Sequence, residues 1–307
     1  MMSEIVSKRS EIVFLYDIKD SNPNGDPLDD NKPRIDEETM TNLVTDVRLK
    51  RTIRDYLHDF KGEEIFIREV RNAKDDIETK EDRLNDLKVD TPEDLLNACM
   101  DIRLFGATAA IKKKSITFTG PVQFKIGRSM HPVTLKFIKG TTVMPSGKDK
   151  KQGTFTEQYI LPYSLINFYG IINENAAKTT HLTEADTVSL VDAIWNGTKN
   201  LISRSKVGQS PRLLLKVNYS EKNYHIGDLN AMLSLDSDVP VDEIRDIRQV
   251  KINVSELISV LDSNKEKIEN VECMVDDRVG FICEGKESRD LAGLISEKGI
   301  KVVRLSL

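Results

Sequence analysis

Apolar residues recur along this chain in two rhythms, and the places where the rhythm changes mark its elements. EIVFLYDI (11–18) is a nearly unbroken run of β-branched and aromatic residues, which predicts a buried strand. TDVRLKRTIRDYLHDF (45–60) switches to helical spacing. Leu49, Ile53, Tyr56, Leu57 and Phe60 form one apolar stripe, with Thr45 as N-cap. Arg48, Lys50, Arg51, Arg54 and His58 take the other side, with Asp55 among them. EIFIREV (64–70) reads as a second strand. Residues 71–90 are strongly charged and read as an exposed, partly helical insertion. Thr91 followed by Pro92 then signals a new helix start.

SITFTGPVQFKIGRS (115–129) predicts a strand pair or one long bent strand. VTLKFIKGTTV (133–143) and TFTEQYIL (154–161) read as the arms of a long hairpin with MPSGKDKKQG (144–153) at its tip. SLINFYGII (164–172) reads as a further strand. A second clear helix covers 183–205 with Thr183 as cap, and PRLLLKVNYS (211–220) is a strand. The tail repeats α/β signals: a helix near 255–264, strands near 270–275 and 278–283, a helix near 289–297 and a closing strand at 301–307. Without the insertion and the hairpin, the order is strand, helix, strand, strand, helix, strand. That is the split βαβ order of ferredoxin-like and RRM folds, so the expected class is α+β.

Composition narrows the function. Of 307 residues, 39% are apolar and 31% charged, which suits a globular protein with a real core. No run approaches the length needed to span a bilayer, and MMSEIVSKRSEIVF lacks the apolar region of a signal peptide, so the expected location is the cytoplasm. Three cysteines without C-x-x-C spacing predict neither a disulfide framework nor a zinc site. The four histidines have no metal-ligand spacing. Walker-type and Gly-x-Ser-x-Gly signatures are absent. The net charge is −5, yet residues 112–151 hold ten basic residues against one acidic. Such segregation makes a local positive field on an acidic protein; an ordinary solvated face would look similar.

The loop DIKDSNPNGDPLDD (17–30) carries three readings. From Asp20 it matches the first half of an EF-hand loop, but position twelve is Asn31 and a strand precedes it, so the calcium reading loses its support. Asp17, Asp20, Asp26 and Asp36 could hold magnesium for phosphodiester hydrolysis. Alternatively Asn22, Asn24 and Gly25 form turns that bring backbone N–H groups close to a phosphate or another subunit. The hairpin tip adds a hydrophobe, Met144, beside Lys148, Lys150 and Lys151, a pattern suited to wedging between bases while lysines meet phosphates.

EIVFLYDIKDSNPNGDPLDDNKPRID followed by LVTDVRLKRTIRDYL closely resembles the start of the Cascade backbone subunits of type I CRISPR systems, the type I-B branch most nearly. The likeness continues through SITFTGPVQFKIGRS, LPYSLINFYG and RSKVGQSPRLL, from about 11 to 220. The resemblance implies an RRM-like palm (10–69, 111–132 and 161–307), a helical fingers insertion (70–110) and a protruding β-hairpin thumb (133–160). It implies copies stacked head to tail along one CRISPR RNA, each thumb kinking the guide so that segments stay free to pair with target DNA. Large, small and guide 5′-end subunits would be partners, no cofactor would be needed, and the subunit would not be an enzyme. Phosphate contacts would come from Arg48, Arg51 and Arg54 on the first helix, from Lys125, Arg128, Lys148, Lys150 and Lys151 on strand and thumb, and from Arg204 and Lys206 on the basic loop. Asn22 and Asn24 would meet the RNA backbone, and Met144 would be the wedge. The rival is a metal-dependent endoribonuclease using Asp20 and Asp26. A general single-strand RNA-binding protein fits the composition but not the motifs.

Overall fold

The computed structural model describes residues 4–111, 114–141 and 155–306. Six elements form its centre: β1 (Ser10–Ser21), α1 (Asp46–Lys61), β2 (Gly127–Pro132), β3 (Phe155–Ile172), α2 (Glu184–Asn200) and β4 (Ser210–Tyr219). The strands lie in the order β4-β1-β3-β2, antiparallel throughout. Ile268–Val275 and Val302–Arg304 extend the sheet beyond β4, and Thr41–Val44 and Ile35–Asp36 extend it beyond β2.

Period-two alternation sends the side chains of β1 to two different cores. Ile12, Phe14, Tyr16 and Ile18 lie under α1 and α2, together with Leu49, Ile53, Leu57, Leu190 and Ile194. Val13 and Leu15 face the opposite way, into a core completed by the tail. Both sets are buried, which is why the sequence shows a continuous apolar run.

Helix α1 begins where Thr45 Oγ1 accepts from the Arg48 N–H at 3.3 Å and ends at Gly62, whose φ of 71° is left-handed. The apolar stripe stops at Leu57. Phe60, expected within it, is 61% exposed and stacks on Tyr56 with ring centroids 5.1 Å apart. The two helices cross closely at Gly197, where a Cβ would stand 3.2 Å from the Thr52 carbonyl. Trp195 is buried in this core. Thr183 caps α2, which stops at Asn200 rather than Ser205.

Three expectations need correction. Residues 64–70 form no strand; the N–H groups of Phe66 and Ile67 donate instead to the Asp101 carboxylate at 2.8 and 3.1 Å. Their backbone is thus satisfied without a neighbouring strand. The 115–129 segment is split among three strands: Lys114–Thr119 pairs with Gly106–Ile111 as a hairpin, while Val122–Phe124 and β2 join the central sheet. Residues 164–172 are not a separate strand but the second half of β3, an 18-residue strand whose first half pairs with Lys136–Thr141. The two arms of the long hairpin are therefore present, in register from Lys136 opposite Ile160 to Thr141 opposite Phe155.

A third core gathers Phe66, Leu84, Val89, Leu95, Leu96 and Ile102, with Ile116 and Phe118 packed against it. The tail builds a small sheet of Ser234–Ser237, Val250–Asn253, Gly280–Cys283 and Lys286–Ser288, with helices Ser255–Ser263 and Leu291–Ser296. It is latched to the centre by Glu11, fully buried, whose carboxylate accepts from the hydroxyls of Tyr169 and Tyr219 and from the N–H groups of Ile226 and Gly227 at 3.0 and 2.9 Å. Among the described residues no helix is long and apolar enough to cross a membrane.

Candidate nucleic-acid interface

The C-terminal end of β1 runs into the loop that the sequence singled out, and three segments meet there. Ser21 Oγ and the Asn22 N–H both donate to the Ser205 carbonyl, at 2.7 and 2.8 Å, which ties the 201–209 loop to the strand end. Asn22 Nδ2 donates to the Asn31 carbonyl at 2.7 Å and closes the loop on itself. Asn24 Oδ1 accepts from both the N–H and the hydroxyl of Thr45 at 2.9 Å, so it holds the N-cap of α1. At Gly25 a Cβ would sit 2.0 Å from Asn31 Oδ1, so only glycine fits this approach. Asn22 and Asn24 are thus first of all the frame of the loop. Asn22 Oδ1 remains buried without a hydrogen-bond partner.

That frame brings Arg48 of α1 next to Lys206 of the basic loop. Arg48 Nη2 donates to Thr52 Oγ1 at 3.0 Å, while its Nε is buried without a partner. Among the described residues Lys206 Nζ donates only to the Ser205 hydroxyl, at 3.2 Å. Among the described residues neither cation has a carboxylate in an ion pair. Burial lowers the affinity of Arg48 for its proton; Lys206 is lowered by burial first and then by repulsion from Arg48. Asp55, already bound by Arg51, is the carboxylate that acts on Arg48, and it forms no ion pair with it; two half-buried like charges held this way suit an anion. Arg204, on the same loop, is exposed.

The other predicted cations have protein partners. Arg51 is exposed and held by Asp55 through two contacts of 2.6 and 2.8 Å. Arg54 is half-buried, pairs with the fully buried Asp101 at 2.8 Å and lies over the Phe105 ring, so its first role is structural. Lys125 pairs with Asp228 and lies 5.1 Å above the Tyr169 ring. Arg128 pairs with Asp36 at 2.8 Å. Exposed pairs of this kind are weak and exchange readily for a phosphate, so Arg51, Lys125 and Arg128 keep the chemistry of phosphate ligands. Met144, Lys148, Lys150 and Lys151 lie outside the described residues.

The carboxylates do not gather. Asp17 is buried between Arg212 and Tyr163, each at 2.9 Å. Asp26 uses one oxygen on the Leu28 N–H at 3.0 Å and the other on Arg34 at 2.8 Å. Asp36 is taken by Arg128, which with two backbone hydrogen bonds holds its carboxyl below the usual range. Among the described residues no group of three His, Cys, Asp or Glu side chains could hold a metal ion. Asp20 is exposed with a left-handed φ of 47°, a turn position. The three cysteines are buried, and burial pushes Cys99 and Cys273 up to about 12, so neither offers a thiolate.

Sequence reading missed an aromatic element at the base of the hairpin. Phe137 is 44% exposed and packs on Tyr159 with centroids 4.8 Å apart. Lys139 sits 5.4 Å above Phe137, and Lys32, from the loop after β1, sits 5.4 Å above Tyr159. A two-stranded ribbon has no core of its own, so exposed rings on it are available to stack on bases. The usable signal was one aromatic residue within each hairpin arm, Phe137 and Tyr159; only the register puts them opposite each other.

The ring platform common to RRM-type RNA binding is closed here. The side chains of β1 and β3 on the face away from α1 and α2, among them Leu15, Tyr163, Leu165 and Tyr169, are buried under the tail. That face is therefore closed to base stacking, and the end of the sheet and the hairpin remain open.

Comparison with known proteins agrees with this architecture. Residues 8–255 match the family described as CRISPR-associated protein Cas7. A curated relative of that name from Haloferax volcanii is 33% identical over 302 residues, covering 88% of each chain. Among solved structures, the fold is similar to a chain of a "CRISPR RNA-guided surveillance complex, pre-nicking", with a TM-score of 0.54 and 10% identity over 95% of this chain and 99% of that one. A second "CRISPR RNA-guided surveillance complex" chain matches with a TM-score of 0.52 and 13% identity over 87% and 88%. The chain belongs to the CRISPR-associated protein Cas7 family.

Proposed function

We propose that this chain is the backbone subunit of a type I-B Cascade complex, working in the cytoplasm in antiviral defence. It grips the sugar–phosphate backbone of a CRISPR RNA, repeats along it by head-to-tail contact with further copies, and leaves the bases to pair with target DNA. The observation that carries this reading is the pair Arg48 and Lys206 at the end of β1, half-buried and in no ion pair among the described residues. Such a site reads charge and not sequence, as a holder of variable guides must. An RRM-like palm is supported by the strand order β4-β1-β3-β2 with two helices on one face. A thumb is supported by the exposed arm Lys136–Thr141 and its pairing with β3. Residues 70–110 supply the fingers.

The role is that of a non-catalytic scaffold with no cofactor, and its partners are the guide, other copies and the large, small and guide 5′-end subunits. Of the two aspartates that a metal-dependent ribonuclease would use, Asp20 and Asp26, the second is engaged by Arg34, which supports the scaffold over that rival. The test is purification of the chain with whatever RNA co-elutes, followed by nuclease footprinting and sequencing. Regularly spaced protection of repeat–spacer RNA is expected. Particles free of RNA, or single under every condition, would overturn the reading. Deleting 144–153 should leave a folded chain and abolish the regular footprint.

A further inference from the structure

The chain holds two Asn–Gly dipeptides, Asn24–Gly25 and Asn196–Gly197. Asparagine before glycine is the side-chain amide most open to attack by the next backbone nitrogen, because glycine has no side chain to block the approach. Only one of the two is placed to react. Asn196–Gly197 lies inside α2, where the Gly197 N–H is committed to the helical ladder and Asn196 Nδ2 donates to Asp192 at 2.6 Å. Asn24–Gly25 lies in the loop after β1 and is partly exposed, so water reaches it.

Three features of that loop favour the reaction. The Arg34 N–H donates to the Asn24 carbonyl at 3.2 Å, which makes Gly25 and Pro33 a non-hydrogen-bonded pair and turns the Gly25 N–H away from the opposite strand. Asn24 Nδ2 donates to the Gly25 carbonyl at 3.4 Å, which folds the side chain over the peptide that must attack it. Asn24 Oδ1 accepts from both the Thr45 N–H and the Thr45 hydroxyl at 2.9 Å. Attack on Cγ puts negative charge on that oxygen, so the two donors form an oxyanion hole already in place.

We propose that Asn24–Gly25 is a self-modification site. The Gly25 nitrogen bonds to Asn24 Cγ, its proton passes through water to the leaving ammonia, and a further water opens the resulting succinimide to aspartate or isoaspartate. Either product adds a carboxylate beside Thr45, whose hydroxyl accepts from the Arg48 N–H, so ageing weakens the neighbouring cation pair. That consequence, unlike the modification, rests on the RNA-binding reading above. The test incubates the full chain at mildly alkaline pH and follows both dipeptides by peptide mass spectrometry, folded and in guanidinium chloride. Asn24 should convert faster in the folded chain than in the unfolded one, and Asn196 slower. Thr45→Val, which loses the hydroxyl and keeps the N–H, should slow Asn24 by roughly ten-fold, less than an oxyanion donor supplies in an enzyme, because the unreacted amide already uses it. Thr45→Ser should keep the wild-type rate. Folded wild type converting Asn24 no faster than the unfolded chain, or Thr45→Val converting as fast as wild type, overturns the site. Should Thr45→Val fail to fold, the wild-type comparison decides. Converted protein, separated by charge, should bind oligouridylate about five-fold more weakly than fresh protein. Equal affinity overturns the consequence and leaves the modification standing; fresh protein that binds no oligouridylate overturns the RNA reading itself.

Discussion

Two regions of this molecule bury arginine, and they do so on opposite terms. Around the third core, Arg54 meets Asp101, Arg83 meets Glu64, and Arg103 meets Asp186 through contacts of 2.8 and 2.9 Å. Each cation there is matched by a carboxylate supplied from a distant part of the chain. At the end of β1, Arg48 and Lys206 are half-buried and, among the described residues, neither is in an ion pair; the carboxylate that acts on Arg48, Asp55, is held by Arg51. Burying a charge is unfavourable unless a partner is present. The first region has its ion-pair partners and is architecture. The second has none among the described residues, which is what supports reading it as a site.

The contrast is open to experiment. The largest effect is expected from Asp101→Ala, which leaves Arg54 buried and frees two backbone N–H groups. Breaking such a pair costs about 3–5 kcal/mol, read as a fall in the midpoint of urea unfolding. Arg48→Ala should do the reverse: unfolding unchanged or slightly harder, and RNA affinity lower by about ten- to a hundred-fold, the range for one charged hydrogen bond. Its salt dependence should become shallower by about one phosphate contact. A stability loss in Arg48→Ala without an affinity loss would erase the distinction between the regions. Phe137→Ala should weaken RNA binding by about ten-fold through lost stacking, with no change in salt slope.

Two smaller effects follow. Lys206 holds its proton less tightly than an ordinary lysine, and only the protonated form attracts phosphate. RNA affinity should therefore hold at neutral pH and decline as pH rises, beginning below the usual lysine range. In Lys206→Arg the profile should stay flat across that interval, because arginine remains charged. Identical profiles would remove Lys206 from the site. Arg51→Ala, whose charge Asp55 already engages, should shift affinity by no more than about two-fold.

The sequence was most readable where one element carries its own signal. Strand 11–18, helix 45–60 with its Thr45 cap, the Thr183 cap and strand 211–220 all rest on local pattern, and each stands close to its expected bounds. What stayed hidden depends on partners far along the chain. EIFIREV has strand composition, but Asp101 takes its N–H groups. Arg54 lies on the same helix as Arg48 and looks equivalent; only folding sets Asp101 against one and leaves the other beside Lys206. Asn22 and Asn24 were placed in the right loop, yet their hydrogen bonds to the Asn31 carbonyl and Thr45 make them its frame. The tail had visible elements but no visible purpose, because the surface it seals is the far side of a sheet made elsewhere in the sequence.

The 18 residues of β3 form a single rod of about 60 Å that begins in the protruding arm and ends between the two cores. Its parity is therefore locked at the inner end, where every second side chain has an assigned core. Lengthening both arms by two residues would push the tip outward by about 7 Å with all faces preserved. Lengthening them by one would turn Phe137 and Tyr159 to the wrong side of the ribbon. The reach of this arm can change only in even steps, which makes it a ruler with fixed graduations.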